Sequence, residues 1–168
     1  MIGIIVAGGK GTRLLPLTTT TPKVMMEVGG RPVLEHMINL MKSHGIEDII
    51  ITTQHLPDRI HSYFFDGKDL GVNILYVVEK EPLGNAGCIK SLENIISDTF
   101  AVANGDNLTD ANLTEMIKFH REKNSVATIG TYREKESPRS KGIIEADASG
   151  KIISFAEKPD KPKSDLAN

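Results

Sequence analysis

The stretch Gly8-Gly9-Lys10-Gly11-Thr12-Arg13 combines glycine with fixed positive charge. Without Cβ atoms at Gly8, Gly9 and Gly11, successive backbone N–H groups can converge on the oxygens of an anion. Arg13 adds a planar, permanently charged fork suited to phosphate. Lys23 supplies a second cation, and Pro22 fixes the backbone just before it. The chemistry these residues could do is phosphate binding. The loop lacks the Gly-Lys-Ser/Thr ending of a P-loop, and its glycine spacing is not the dinucleotide fingerprint. On these residues alone, a turn carrying two solvated cations stands level with a phosphate cradle.

Other candidates are weaker in isolation. Asn104-Gly105-Asp106-Asn107 reads first as a turn. Glu157-Lys158-Pro159 reads as a charged pair before a proline. His36, His44, His55, His61 and His120 do not cluster by spacing, and His120 falls on an amphipathic helix. Met25, Met26, Met37 and Met41 read as core packing. Cys88 reads as a small buried hydrophobe in a helix, and one cysteine cannot close an internal disulfide.

The elements that must position the loop follow from hydrophobic periodicity. Ile2 to Val6 is a short apolar run ending at the glycine loop, which predicts a buried parallel strand. A helix is predicted from Pro32, with Leu34, Met37, Ile38 and Met41 on one face and Gly45 as its stop. Asp48 to Thr53 predicts a second strand, Asp58 to Phe65 a short helix, and Val72 to Val78 a third strand. Gly84 to Ile95 predicts a helix with Ala86, Ile89, Leu92 and Ile96 aligned. Phe100 to Ala103 predicts a fourth strand, delivering Asp106 just beyond its end. A helix within Leu108 to Lys123 and a fifth strand from Val126 to Tyr132 follow. Gly142–Ala146 and Lys151–Ala156 predict a strand pair around Ala148-Ser149-Gly150. The polar tail from Pro159 to Asn168 reads as a linker or frayed end. Repeated strand–helix–strand units imply an α/β fold with a mostly parallel sheet and helices on both faces. Ligands in such folds lie beyond the carboxyl ends of the strands, where the glycine loop and Asp106 fall.

Composition bounds the partners. The chain has 168 residues, enough for one domain with a core, and 39% are hydrophobic and 25% charged. A formal net charge of −2 supplies no basic field for nucleic acid. No apolar run approaches the ~20 residues of a membrane helix, and the apolar start is too short for a signal-peptide core. These features predict a cytoplasmic protein with no membrane or nucleic-acid partner.

Read together, the motifs are far more specific than any one of them. Ala7-Gly8-Gly9-Lys10-Gly11-Thr12-Arg13-Leu14, Pro16-Leu17-Thr18, Pro22-Lys23 and Val28-Gly29-Gly30-Arg31-Pro32-Val33-Leu34-Glu35 closely resemble the signature of sugar-phosphate nucleotidyltransferases. Glu81-Pro82-Leu83-Gly84-Asn85-Ala86-Gly87, Asn104-Gly105-Asp106, Phe119-His120 and Glu157-Lys158-Pro159 follow in the same order. The resemblance covers essentially the whole chain and is nearest in flavour to the mannose-1-phosphate guanylyltransferases. It implies a Rossmann-like, glycosyltransferase-A-like nucleotidyltransferase domain over residues 1–168. That span would comprise a nucleotide-binding part and the start of a sugar-phosphate-binding part.

By that resemblance, Ala7, Gly8, Gly9, Gly11 and Thr12 wrap the triphosphate of the nucleotide, and Arg13 stabilises the departing pyrophosphate. Lys23 bridges toward the α-phosphate and the sugar phosphate. Asp106 holds Mg²⁺, a cation that takes few protein carboxylates and keeps substrate oxygens and water. Glu79, Pro82 and Gly84 read the base. A carboxylate at Glu79 only accepts hydrogen bonds, which suits the adjacent N1–H and N2–H donors of guanine. Gly142 approaches the sugar, Glu157 accepts from its hydroxyls and Lys158 holds its phosphate. The implied activity is transfer of a nucleotidyl group, from GTP by preference, to a sugar 1-phosphate such as mannose 1-phosphate, releasing pyrophosphate. The same chemistry with UTP or dTTP and glucose 1-phosphate is the alternative, and a non-catalytic nucleotide-binding module is a second. Two departures stand out. Lys141 precedes Gly142 where the family often has tyrosine, and nothing matches the family's second metal-binding aspartate. The latter implies a fold lacking its C-terminal part, with a sheet edge open to self-association into a homo-oligomer.

Overall fold

A computed structural model describes all 168 residues apart from the side chain of Asn85. The contacts divide the chain into two compact units, Met1–Asp110 and Ala111–Asn168.

The first unit is built on four parallel strands. β1 (Ile2–Val6) runs into the glycine loop. A small hairpin, β2 (Glu27–Val28) and β3 (Arg31–Pro32), turns at Gly29-Gly30 and leads into α1 (Val33–Ser43). Then come β4 (Asp48–Thr53), α2 (Pro57–Phe64), β5 (Asn73–Val78), α3 (Gly84–Lys90) and β6 (Phe100–Asn104). The sheet order is β5-β4-β1-β6 with every pairing parallel. The chain therefore builds outward from β1 through β4 to β5, then returns to place β6 on β1's other side. That reversal makes a switch point between β1 and β6, where neighbouring loops leave in opposite directions and open a crevice.

Side-chain alternation explains how the sheet is covered. Ile4 and Ile50 project to one face and pack with Leu92, flanked by Ile89 and Ile96 after or within α3. On the other face Met41 and Ile46 close over Gly3. Leu34, Met37, Ile38 and Met41 of α1 are all buried, as their 3.6-residue spacing predicts. The His61 ring of α2 meets Tyr76 of β5 edge-on at 5.0 Å. The α/β class, the parallel sheet and helices on both faces are as expected.

The second unit holds α4 (Leu113–Glu122), β7 (Tyr132–Arg133), β8 (Gly142–Ala146), β9 (Ile152–Glu157) and β10 (Leu166–Ala167). Its sheet is antiparallel, ordered β7-β10-β8-β9. The Asn112 side chain caps α4 by accepting the Glu115 N–H at 3.1 Å, leaving one fewer orphan donor at that terminus.

Three expectations are corrected. The helix from Gly84 ends at Lys90 rather than Ile95. Glycines at 84 and 87 weaken it, Ser91 Oγ donates to the Cys88 carbonyl at 2.7 Å, and the bonds that follow tighten to Leu92→Ile89 and Ile95→Leu92. Cys88 within it and Leu92 just past its end are the buried residues of this segment, with Ala86 exposed. The fifth strand shrinks to Tyr132–Arg133, because no described strand pairs with residues 126–131 and Val126 stands fully exposed. The tail is not a frayed end. Leu166-Ala167 inserts between β7 and β8, with Ala167 fully buried. Its two apolar residues complete a ladder that polarity averaged over the tail conceals.

Candidate active site

The glycine loop leaves β1 at the switch point. The Ala7 N–H donates to the Thr52 carbonyl at 2.8 Å, so the sheet ladder persists to the loop's first residue. Gly8 lies against Gln54 and Glu79. Gly11 adopts φ +63°, and a Cβ there would fall 2.8 Å from Thr18 Cγ2 and 3.0 Å from Lys23 Cβ. Only glycine fits that backbone and that space without rearrangement. Thr12 to Leu14 then form a single 3-10 turn, closed by Leu14 N–H to the Gly11 carbonyl at 2.9 Å. Arg13 on this turn is exposed and has no ion-pair partner among the described residues.

Lys23 opens a further 3-10 turn immediately after Pro22, with its ammonium in an ion pair with the Asp106 carboxylate. Asp106 is delivered by β6, and the Gly105 N–H still donates to the Val6 carbonyl at 2.9 Å. Backbone hydrogen bonds thus carry the β1–β6 ladder up to the residue before the carboxylate. Both side chains are about one-third exposed, at 33% and 32%, so the pair is open to a ligand. An anion above the loop would meet Arg13, Lys23 and the free N–H groups. A cation would meet Asp106. Among the described residues no group of three or more His, Cys, Asp or Glu converges. A cation here would have a single protein carboxylate and would need oxygens from its ligand. That donor set fits Mg²⁺, which commonly binds through one or two carboxylates and substrate phosphates.

Glu79 continues β5, its N–H donating to the Thr53 carbonyl at 2.8 Å. Its Oε2 accepts the Leu83 N–H at 3.2 Å, which folds the Pro82–Gly84 segment back toward it. Oε1 faces Gly8. One carboxylate therefore bonds the segment expected to read the base and stands close to the glycine loop, 3.6 Å from where a Cβ at Gly8 would lie. Burial pushes the Cys88 thiol up, offset in part by the neighbouring Thr52 side chain.

In the second unit Gly142, Glu157 and Lys158 come together. Gly142 pairs with Glu157 across the β8–β9 ladder, and a Cβ at Gly142 would lie 3.1 Å from Glu157 Oε2. Lys158 Nζ is 3.2 Å from Glu157 Oε1. The Lys158 N–H donates to the Lys141 carbonyl at 2.9 Å, and Lys158 takes φ +46°, in the left-handed region. Such a conformation in a non-glycine residue is uncommon and often marks a functional position. An open concavity of about 1000 Å³ also lies in this unit, along residues 134–140 and 162–165, and none of the candidate residues lines it.

Two contacts were invisible in the sequence. Thr18, only 1% exposed, donates from Oγ1 to the Gly11 carbonyl at 3.0 Å. His55 Nε2 donates to the Thr18 carbonyl at 2.8 Å, which fixes the proton on Nε2 because a carbonyl can only accept. Thr18 stood inside the Pro16-Leu17-Thr18 motif without a role, and no spacing rule links residues 18 and 55.

The glycine loop, the lysine–aspartate pair at the switch point and the parallel sheet agree with sequence comparison. Residues 2–168 match the nucleotidyl transferase family model, and the chain belongs to that family. It is 40% identical to a UTP–glucose-1-phosphate uridylyltransferase of Synechocystis, over 95% of this chain and 44% of that protein. It is 37% identical to a mannose-1-phosphate guanylyltransferase of Mycobacterium tuberculosis, over 98% of this chain and 46% of that protein. The chain thus spans less than half the length of these curated relatives. Among solved structures, a protein described as a glucose-1-phosphate thymidylyltransferase of Bacillus anthracis superposes with a TM-score of 0.85 at 30% identity, covering 99% of this chain and 68% of that one. A UDP-glucose pyrophosphorylase shares the fold with a TM-score of 0.85 at 23% identity, over 99% of this chain and 72% of that one. No described helix is long and apolar enough to cross a membrane.

Proposed function

We propose that residues 1–168 form a nucleotidyltransferase domain, binding a nucleoside triphosphate and carrying the start of a sugar-1-phosphate site. The observation that carries this reading is the Lys23–Asp106 pair, set beside the glycine loop at the β1–β6 switch point. The reaction is in-line attack by a sugar 1-phosphate oxygen on the α-phosphorus. A new P–O bond forms there, the bond from the α-phosphorus to the bridging oxygen breaks, and pyrophosphate leaves with that oxygen. No general base is required, because the attacking phosphate is already ionised. Ala7, Gly8, Gly9, Gly11 and Thr12 surround the triphosphate. Arg13 offsets charge as it moves onto the pyrophosphate, and Lys23 the charge at the α-phosphate. Mg²⁺, held by Asp106, would neutralise phosphate oxygens when bound. Lys158 and Glu157 receive the sugar phosphate and sugar hydroxyls, beside Gly142.

GTP and mannose 1-phosphate are the favoured pair, because the Glu79 carboxylate beside Gly8 can accept two donors from guanine. The uridylyltransferase relative at 40% identity supports UTP with glucose 1-phosphate as the second reading, and dTTP with the same sugar stands beside it. Pro82 and Gly84 shape the base-reading segment in either case. The setting is cytoplasmic, and neither membrane nor nucleic acid takes part. The open strand edges favour a homo-oligomer.

The test is pyrophosphate release with Mg²⁺, crossing GTP, UTP, dTTP, CTP and ATP with mannose 1-phosphate and glucose 1-phosphate. Turnover with one pair names the substrates. Silence with every pair from folded protein would mean that these residues do not suffice for transfer to these sugars. If GTP is the donor, Glu79→Gln should lower the preference for GTP over UTP, and an unchanged preference would remove the base assignment.

A further inference from the structure

The backbone of the glycine loop is held by the Thr18 side chain, which His55 fixes in turn, and neither contacts phosphate in the reading above. The Gly11 carbonyl accepts twice, from the Leu14 N–H at 2.9 Å and from Thr18 Oγ1 at 3.0 Å. Both of its lone pairs are therefore directed into the protein. The Gly11–Thr12 peptide is planar and trans, so its C=O and N–H point in opposite directions. Fixing the Gly11 carbonyl inward aims the Thr12 N–H outward, and no described acceptor takes that N–H. If the carbonyl turned outward instead, an acceptor oxygen would face the phosphates and repel them.

Thr18 can act as this anchor because it is itself fixed. It is 1% exposed, and its carbonyl accepts His55 Nε2 at 2.8 Å. His55 lies just past β4, next to Gln54, whose Cβ lies against Gly8. The Thr18 methyl fills the space beside Gly11, on the side where the Lys23 stem also approaches. One short loop after β4 thus lies beside Gly8 and holds Gly11 through Thr18.

We propose that Thr18 and His55 are positioning residues for the triphosphate, holding the Gly11–Thr12 peptide in its anion-accepting orientation. This rests on the reading of the glycine loop as a triphosphate cradle. The probes are inorganic tripolyphosphate, GTP and UTP, each with Mg²⁺, titrated into the parent chain, Thr18→Val, Thr18→Ser, His55→Leu and His55→Gln. Loss of one backbone-orienting hydrogen bond should weaken tripolyphosphate and triphosphate binding about tenfold in Thr18→Val. Thr18→Ser keeps the hydroxyl and should stay within about threefold of the parent, since only the methyl contact is lost. The Thr12 amide proton should shift on adding tripolyphosphate in the parent and in Thr18→Ser, and not in Thr18→Val. If Thr18→Val does not fold, the part-buried position 55 decides, with His55→Leu weakened and His55→Gln near the parent. Parent-like binding in both Thr18→Val and His55→Leu, or a Thr18→Ser as weak as Thr18→Val, overturns the proposal. A parent chain that binds none of the three probes removes the cradle reading itself, a failure visible before any substitution is made.

Discussion

The two units solve the problem of holding charged groups in different ways. In Met1–Asp110, β1 and β4 lie between helices, and Ile4, Ile5, Ile49 and Ile51 are at most 1% exposed. Arg13, Lys23 and Asp106 stand on loops beyond the carboxyl ends of β1 and β6, fastened by ladder hydrogen bonds that continue past the strand ends. In Ala111–Asn168, Ile152, Ile153 and Phe155 of β9 are 38%, 65% and 50% exposed, and only Ile143, Ile144 and Ala167 are buried apolar residues. Glu157 and Lys158 sit at the end of that open strand. Charged residues in the first unit are placed by a core, and those in the second by one pair of strands. The ionisable groups divide the same way. Burial pushes the Tyr76 phenol up to about 12, with the charge of Asp66 adding to it. The Asp165 carboxyl is held below its usual range by the Arg133 guanidinium, which grips both oxygens at 2.7 and 2.8 Å.

The largest contrast should appear in stability. Ile5→Ala, at 0% exposure, should cost about 2–5 kcal/mol by lost burial and cavity formation. Ile153→Ala, at 65% exposure, should cost less than about 0.5 kcal/mol. Urea unfolding of both variants checks this, and equal costs would break the comparison. Gly11→Ala comes next. The positive φ alone should cost about 1–2 kcal/mol, and the clash with Thr18 adds to it, so both the melting temperature and triphosphate binding should fall.

These differences also explain what could be read from the chain alone. β1, β4 and α1 were legible because each carries its own signal: an unbroken Ile run beside a glycine loop, or apolar residues at helical spacing. Gly8, Arg13 and Lys23 stood out as candidates because glycine and fixed charge fall close together in the sequence, while the roles proposed for them come from the ordered motifs read together. The second unit was less so. Tyr132–Arg133 and Leu166–Ala167 are two-residue strands whose existence depends on each other and on β8, and no local pattern records such pairing. The Thr18–His55 contact failed to show for a similar reason, since it joins residues 37 positions apart.

Charge substitutions should separate the units functionally. Lys23→Ala should weaken nucleoside triphosphate binding roughly 10- to 100-fold, as expected for a hydrogen bond between charged groups. Lys158→Ala should leave triphosphate binding within about twofold and weaken sugar 1-phosphate binding instead. Calorimetric titration of both ligands into both variants checks this.

The smallest effects are in pH. Tyr76 has a raised pKa in the folded chain, so its contribution is full below the unfolded value near 10 and is lost as pH rises toward about 12. Asp165 has a lowered pKa, so its contribution is present above the unfolded value of about 3.9 and is lost as pH falls through and below it. Tyr76→Phe should flatten the alkaline limb of the stability curve and Asp165→Asn the acid limb. An effect of either on the opposite limb would contradict the assignment.

The most direct test of the central claim is to map where a nucleotide binds. Backbone amide spectra should be followed while GTP and UTP, each with Mg²⁺, are titrated into the parent chain. The account predicts saturable shifts concentrated at Gly8, Gly9, Gly11, Thr12, Arg13, Lys23 and Asp106. Shifts confined to the concavity along residues 134–140 and 162–165, or no saturable shift with either nucleotide, would contradict it.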